Sequence, residues 1–292
     1  MKRIFVVLLG AFILCASVAF ATEIPTTVDI NADPRVATIT FTDADGGNIQ
    51  LSRFDNASVT CYGTIYDDDG YTDIISLNAS FFGLNSTISS APSSGTKYVN
   101  TSCTITNGAG PTADFECNAT VHHHTEPGSW NCTVMVQDAY GVNGSNSTLQ
   151  TVDTFMSIDV PTELIDFGTH AHGNDSGTND YSILINNSGN VRFDVLLDAY
   201  SLTGVDADVN AMACDVGDLP VASILWNLTP GTDASLKTPF TDSPQTADIN
   251  LDQTAFGATA YTTDNIYFGI SIPMSGQSGT CTGFIDVSAT NP

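Results

Sequence analysis

Positive charge is nearly missing from this sequence: seven Lys and Arg stand against 32 Asp and Glu in 292 residues, a formal net charge of −25. Nucleic acids and anionic lipid surfaces are gripped by basic patches, so the charge balance argues against both as partners. Charge of either sign is scarce, at 13 % of residues, about half the usual share. Beyond the N-terminal segment there is almost no helical periodicity. Also absent are His-Glu-x-x-His, Gly-x-Ser-x-Gly, a phosphate-cradling glycine loop and Cys-x-x-Cys-His, so the chain is expected not to be an enzyme. What is present is a core: 42 % hydrophobic and 9 % aromatic residues set the chain apart from disordered acidic tails. The length suits two ordinary domains or one large all-β domain.

The first 21 residues have the order of a secretory signal. Lys2 and Arg3 are followed by an apolar run over residues 4–18, and Ala19-Phe20-Ala21 supplies the small-x-small cleavage site. Cleavage there leaves five basic residues against 32 acidic ones, a net −27. No later stretch reaches the roughly 20 apolar residues that span a bilayer, so the mature chain is expected to be extracellular or at the cell surface. Export fits the six cysteines that remain, an even number suited to disulfides in an oxidising compartment. It also fits eleven Asn-x-Ser/Thr sequons, at Asn56, Asn78, Asn85, Asn100, Asn118, Asn131, Asn143, Asn146, Asn174, Asn186 and Asn227. These are the expected sites of covalent N-glycans, and eight of them precede residue 150. Such a density of sequons, in a chain lacking any eukaryotic module, resembles archaeal surface proteins.

Period-two alternation recurs between Gly, Asn, Asp and Pro turns, the pattern of an all-β fold of antiparallel sandwiches. Val59, Cys61 and Ile65 share one strand face; so do Phe115, Cys117, Ala119 and Val121, and Cys132, Val134 and Val136. Residues 152–161 form the passage to a second sandwich. Beyond it, Tyr181-Ile183-Ile185 and Val191-Phe193-Val195-Leu197 flank Asn187-Ser188-Gly189-Asn190 and are expected to form a hairpin. Ile266-Phe268-Ile270-Ile272 and Cys281-Ile285-Val287 are expected as the last pair of strands. Neighbouring residues in a strand face opposite ways, so Asn118 and Asn131 point outward where Cys117 and Cys132 point inward.

Six cysteines allow 15 pairings. If each domain closes its own, Cys214 pairs with Cys281 and three arrangements remain for the front four. Cys103 and Cys117 flank the turn Asn107-Gly108-Ala109-Gly110-Pro111, and register symmetry places them opposite each other, within bridging distance. Cys61 and Cys132 are then left for one another. Cys61 in an early strand, followed later by Trp130-Asn131-Cys132-Thr133-Val134-Met135-Val136-Gln137-Asp138, resembles the inter-sheet bridge of immunoglobulin-like domains. In that family a tyrosine usually stands where Trp130 does, two residues before the cysteine. Asp67-Asp68-Asp69-Gly70-Tyr71-Thr72-Asp73-Ile74 resembles a loop of polycystic-kidney-disease-type surface repeats. In the back half, Ile165-Asp166-Phe167-Gly168, Asn187-Ser188-Gly189-Asn190 and Ile270-Ser271-Ile272-Pro273 resemble secreted β-sandwiches, some of them subunits of extracellular threads and fibres. The chain thus divides into a signal peptide (1–21), an N-terminal extension (22–33), a heavily glycosylated Ig-like sandwich (34–152) and a second sandwich (153–292).

Hard oxygen ligands at Asp67, Asp69 and Asp73 are expected to suit Ca²⁺, and Asp43 with Asp45 opens a second loop of that type, without the Glu that would close it. All five histidines fall in two clusters, His122-His123-His124 and His170-Ala171-His172, expected as solvated strand ends. Secretion, compact stapled sandwiches and no catalytic motif point to a structural subunit of a filament or coat that associates with itself. The alternative is an adhesin or glycan-binding module using exposed aromatics such as Tyr62 and Tyr66. The resemblance of the back half implies polymerisation through a donated strand, and Val28 and Ile30 in residues 22–33 alternate as such a strand would.

Overall fold

The computed structural model describes residues 30–93, 95–201, 209–255, 258 and 260–292. The signal peptide and residues 22–29 of the extension lie outside the described residues. The fold is all-β, two antiparallel sandwiches in one compact unit, Ala32–Pro292. No helix among the described residues is long and apolar enough to cross a membrane.

The first sandwich holds β1 (Arg35–Asp43), β2 (Ala57–Tyr66), β3 (Ile74–Phe82), β4 (Lys97–Asn100), β5 (Thr104–Ala109), β6 (Thr112–Val121), β7 (Gly128–Asp138) and β8 (Asn143–Val152). One sheet runs β1-β2-β6-β5, the other β4-β3-β7-β8. Alternation does the sorting: along β2, Val59, Cys61 and Ile65 are fully buried while Tyr62 faces out. Trp130, Phe81, Phe115 and Ile49 are the bulk of the core, and burying each such side chain contributes about 1.5–3 kcal/mol. Cys61 on β2 is bonded to Cys132 on β7, joining the two sheets, and Cys103 is bonded to Cys117 at the β5–β6 hairpin. At Gly63 a side chain is impossible, because a Cβ there would lie 2.1 Å from the Thr38 carbonyl at the bulge of β1.

The second sandwich holds β9 (Ile158–Asp159), β10 (Tyr181–Asn187), β11 (Phe193–Tyr200), β12 (Asn210–Val216), β13 (Asp218–Pro220), β14 (Ile224–Asn227), β15 (Thr238–Pro239), β16 (Gln245–Leu251), β17 (Thr262–Ile270) and β18 (Ser278–Thr290). Its sheets run β15-β14-β17-β10-β9 and β13-β12-β18-β11-β16. Cys214 on β12 is bonded to Cys281, directly opposite on β18. Lys237, with its side chain fully buried, is held by Asp180 at 2.6 Å and by the Phe268 carbonyl.

The hairpin expected at Asn187-Ser188-Gly189-Asn190 is not one. β10 pairs with β17 and β9, whereas β11 pairs with β16 and β18, so the turn is an arch from one sheet to the other. β17 and β18 likewise fall in opposite sheets. The arch residues are buried rather than solvated: Asn187 and Ser188 are 0 % exposed and Asn190 1 %. Asn187 Nδ2 donates to the carbonyls of Val191, Leu251 and Asp252, which satisfies a polar turn inside the protein.

Candidate functional site

Two polar constellations and one open flank could carry function. The first lies at the pole of the first sandwich where β2 and β7 end. β2 runs into a tight loop, closed by a single 3-10 turn at Tyr71–Asp73 and pinned to the β5–β6 turn by Asp67 N–H to Pro111 O and Tyr71 N–H to Gly110 O. There Asp67, Asp73 and Asp138 each bring an oxygen within 4.8 Å of the others. Asp67 and Asp138 are 0 % exposed. Asp69 N–H donates to Asp67 Oδ1, and Tyr140 and Val142 N–H groups donate to Asp138 Oδ1. The Oδ2 atoms of Asp67 and Asp73 are buried without a hydrogen-bond partner. Burial, followed by the nearby carboxylates of Asp69, Asp73 and Asp138, pushes the Asp67 carboxyl above its usual range, against the Asp69 amide.

Of the expected set Asp67, Asp69 and Asp73, the fold brings Asp67 and Asp73 together and adds Asp138. The carboxylate of Asp69 turns away to accept the Ala32 N–H at 2.7 Å, and Asp138 takes its place because sandwich closure brings the end of β7 beside the loop. No local spacing signalled that partner. At the second loop of this type, the Asp43 carboxylate accepts the amides of Asp45, Gly46 and Gln50 and so caps its own turn.

The second constellation is the junction between the sandwiches. Asn190 Nδ2 donates to Thr125 O and Asp153 O, both at 3.0 Å, while its Oδ1 accepts the Phe155 N–H at 2.6 Å. A Cβ on Gly189 would sit 2.2 Å from the Phe155 carbonyl, so glycine alone lets the arch press against the connecting segment. Arg53 pairs with Asp159, and Phe54 and His123 both meet Tyr261. His122-His123-His124 was expected in solvent, but His124 is 8 % exposed and stacks on His122 at 5.3 Å. Burial, with His123 and His122 adding to it, pushes the His124 imidazole down to about 4; burial lowers His123 as well. His170 and His172 lie apart from these, against the carbonyls of Phe167 and Pro273.

The sequons spread over both sandwiches. Asn56, Asn85, Asn118, Asn143, Asn146 and Asn174 are exposed, and Asn78, Asn100, Asn131 and Asn227 are half-buried. Asn186 differs: it is 8 % exposed and its Nδ2 is bonded to Asp159.

The open flank belongs to the second sandwich. The inward side of the first is sealed, with Cys61, Cys117 and Cys132 at 0 % exposure. In the second, Met212, Cys214, Cys281, Ile285 and Val287 pack on the core yet stay partly exposed. The strandless residues 160–172 border this gap, beside two cavities of about 640 and 300 Å³.

No family model matches the sequence, and no curated protein does. Among solved structures the chain is similar to a carbohydrate-binding module described as from the β-sandwich superfamily, at 13 % identity and a TM-score of 0.27, covering 90 % of this chain and 99 % of that one. It is also similar to a chain named BspA_C_WT, at 12 % identity and a TM-score of 0.24, covering 87 % and 96 %.

Proposed function

We propose that this chain is a non-enzymatic, glycosylated extracellular structural protein whose copies associate into a surface filament or coat. The observation that carries this reading is the open flank of the second sandwich. Along β18 the inward-facing positions Cys281, Gly283, Ile285 and Val287 are only half covered, where a closed sandwich would bury them. A gap between sheets with Met212, Ile285 and Val287 along it, bordered by irregular chain instead of a strand, suits an added strand from a second copy. The clamp at Asn190 supports the same role, since it makes the two sandwiches a stiff unit for assembly.

The adhesin reading has its own support in the larger cavity, where Asp166, Thr169 and His170 offer polar groups beside Phe167 and Ile272. Negative-stain microscopy of the purified mature chain, with and without residues 22–33, separates the two. Ordered polymers that vanish on deletion support strand-mediated assembly. Monodisperse particles that bind immobilised glycans overturn it in favour of the adhesin.

A further inference from the structure

We propose that Asp67, Asp73 and Asp138 bind one hard divalent cation, with Ca²⁺ the chemistry they fit. Oxygens sharing a Ca²⁺ at 2.3–2.6 Å lie no further apart than about 5 Å, and the three carboxylates already meet that limit, within 4.8 Å. Acidic clusters on a surface are common and mean little. Here, however, Asp67 is wholly buried and its Oδ2 has no partner, and Asp73 Oδ2 is likewise buried and unpartnered. A buried carboxylate oxygen without a donor is costly unless a cation takes the place of the lost water. Among the described residues neither Asp67 nor Asp73 makes an ion pair; the nearby guanidinium of Arg35 lies over the Tyr66 ring instead, 4.1 Å from its centroid.

The backbone has fixed one oxygen of each buried acid. Asp67 Oδ1 is held by the Asp69 amide and Asp138 Oδ1 by two amides of the β7–β8 turn. That orients the two buried carboxylates before an ion arrives, and it leaves the unpartnered Oδ2 atoms of Asp67 and Asp73 facing no donor. The ion would tie the loop after β2, in one sheet, to the end of β7 in the other. It would thus close the pole of the sandwich opposite the junction. The same loop holds the Ala32 amide through Asp69, so cation binding would also stiffen the point where the chain enters its first strand. This inference does not rest on the assembly reading.

The test is isothermal titration with Ca²⁺ and thermal unfolding of the full mature chain at pH 7.5, in EDTA and in Ca²⁺ up to about 10 mM, well above the 10⁻⁴–10⁻³ M range of extracellular modules. One binding event and a rise in Tm are expected. Asp138→Asn and Asp73→Asn should fold in EDTA and lose at least tenfold in affinity; Asp73 is half-exposed, so its variant covers the case in which Asp138→Asn fails to fold. Asp69→Asn removes the same charge from the neighbouring position and should keep the wild-type response. No heat and no Tm rise in wild type would overturn the proposal. So would equal losses in Asp69→Asn and Asp73→Asn, which would reduce the effect to the general field of the −27 chain.

Discussion

The indole N–H of Trp130 donates to the carbonyl of Glu126, four residues upstream, at 2.7 Å. In immunoglobulin-like domains a tyrosine hydroxyl makes this corner bond from the same position before the second cysteine. Here tryptophan supplies both the bond and the core volume beside Cys132: Trp130 is 1 % exposed and its ring centroid lies 5.9 Å from that of Tyr98. Trp130→Phe should leave the Glu126 carbonyl short of a donor and open a void, costing about 3 kcal/mol. Trp130→Tyr, which keeps a donor, should cost less. Urea midpoints of the two variants decide the matter; equal losses would mean that volume alone counts.

The junction clamp gives a second expectation. Asn190→Ala removes three hydrogen bonds, two donated to Thr125 and Asp153 and one accepted from Phe155, a loss of about 2–4 kcal/mol. Each sandwich keeps its own core, so the variant should remain folded. It should show a larger radius of gyration by small-angle scattering and faster proteolysis over residues 153–157. An unchanged scattering profile would show that the contacts left in place, among them Arg53 with Asp159, the rings of Phe54, His123 and Tyr261, and the Asn190 N–H to Phe155 carbonyl bond, suffice to hold the junction.

Acid should act through His124. Its imidazole is neutral in the fold, lowered to about 4 against 6.5 when unfolded, by burial beside His123 and His122. The unfolded chain therefore binds the proton first. The stability at stake is fully present above pH 6.5 and is lost as the pH falls toward 4, about 3 kcal/mol over that window. The rings against His124 are those of His122 and His123, and the rings that meet these two in turn, Tyr98, Phe54 and Tyr261, carry no compensating charge. Other carboxylates titrate as well, so the measurement is the difference between wild type and His124→Leu. The variant should lose the smaller share of its stability between pH 7 and pH 4.5.

In the second sandwich, the wholly buried Lys237 ammonium pairs with the partly exposed carboxylate of Asp180. Burial favours the neutral acid, but the Gly231 amide and the Lys237 ammonium outweigh it and hold the Asp180 carboxyl below its usual range. Asp180→Asn leaves a wholly buried ammonium without its counter-charge and should cost about 3–5 kcal/mol. The double change Asp180→Asn with Lys237→Met should recover much of that. A double variant no better than the single one would show that Lys237 matters for its bond to the Phe268 carbonyl.

How much of this could be read from the residues depends on range. The faces of β2, β6 and β7 were legible because alternation is a property of neighbours, and Val59, Phe115 and Val134 announce it locally. The hairpin at Asn187–Asn190 was misread for the same reason. A polar four-residue turn looks alike whether solvent or the Leu251 and Asp252 carbonyls satisfy it. The part played by Asp138 was hidden because its surroundings are made by chain far away: it meets Asp67 only when the sheets close. The burial of His124 left no local signal, since the run from His122 to Glu126 is polar throughout.

The disulfides bear on how far this chain can be stretched. Cys61 and Cys132 enclose a separation of 71 residues, and Cys214 and Cys281 one of 67. Pulled from its ends, the chain cannot pay out what lies between bonded cysteines. At about 3.4 Å per extended residue that withholds about 240 Å from the first sandwich and about 230 Å from the second. Each module can therefore open under load while lengthening by only a fraction of its contour. A thread built from such links would stay short under drag, and the reducing or oxidising state of its surroundings would set its extensibility.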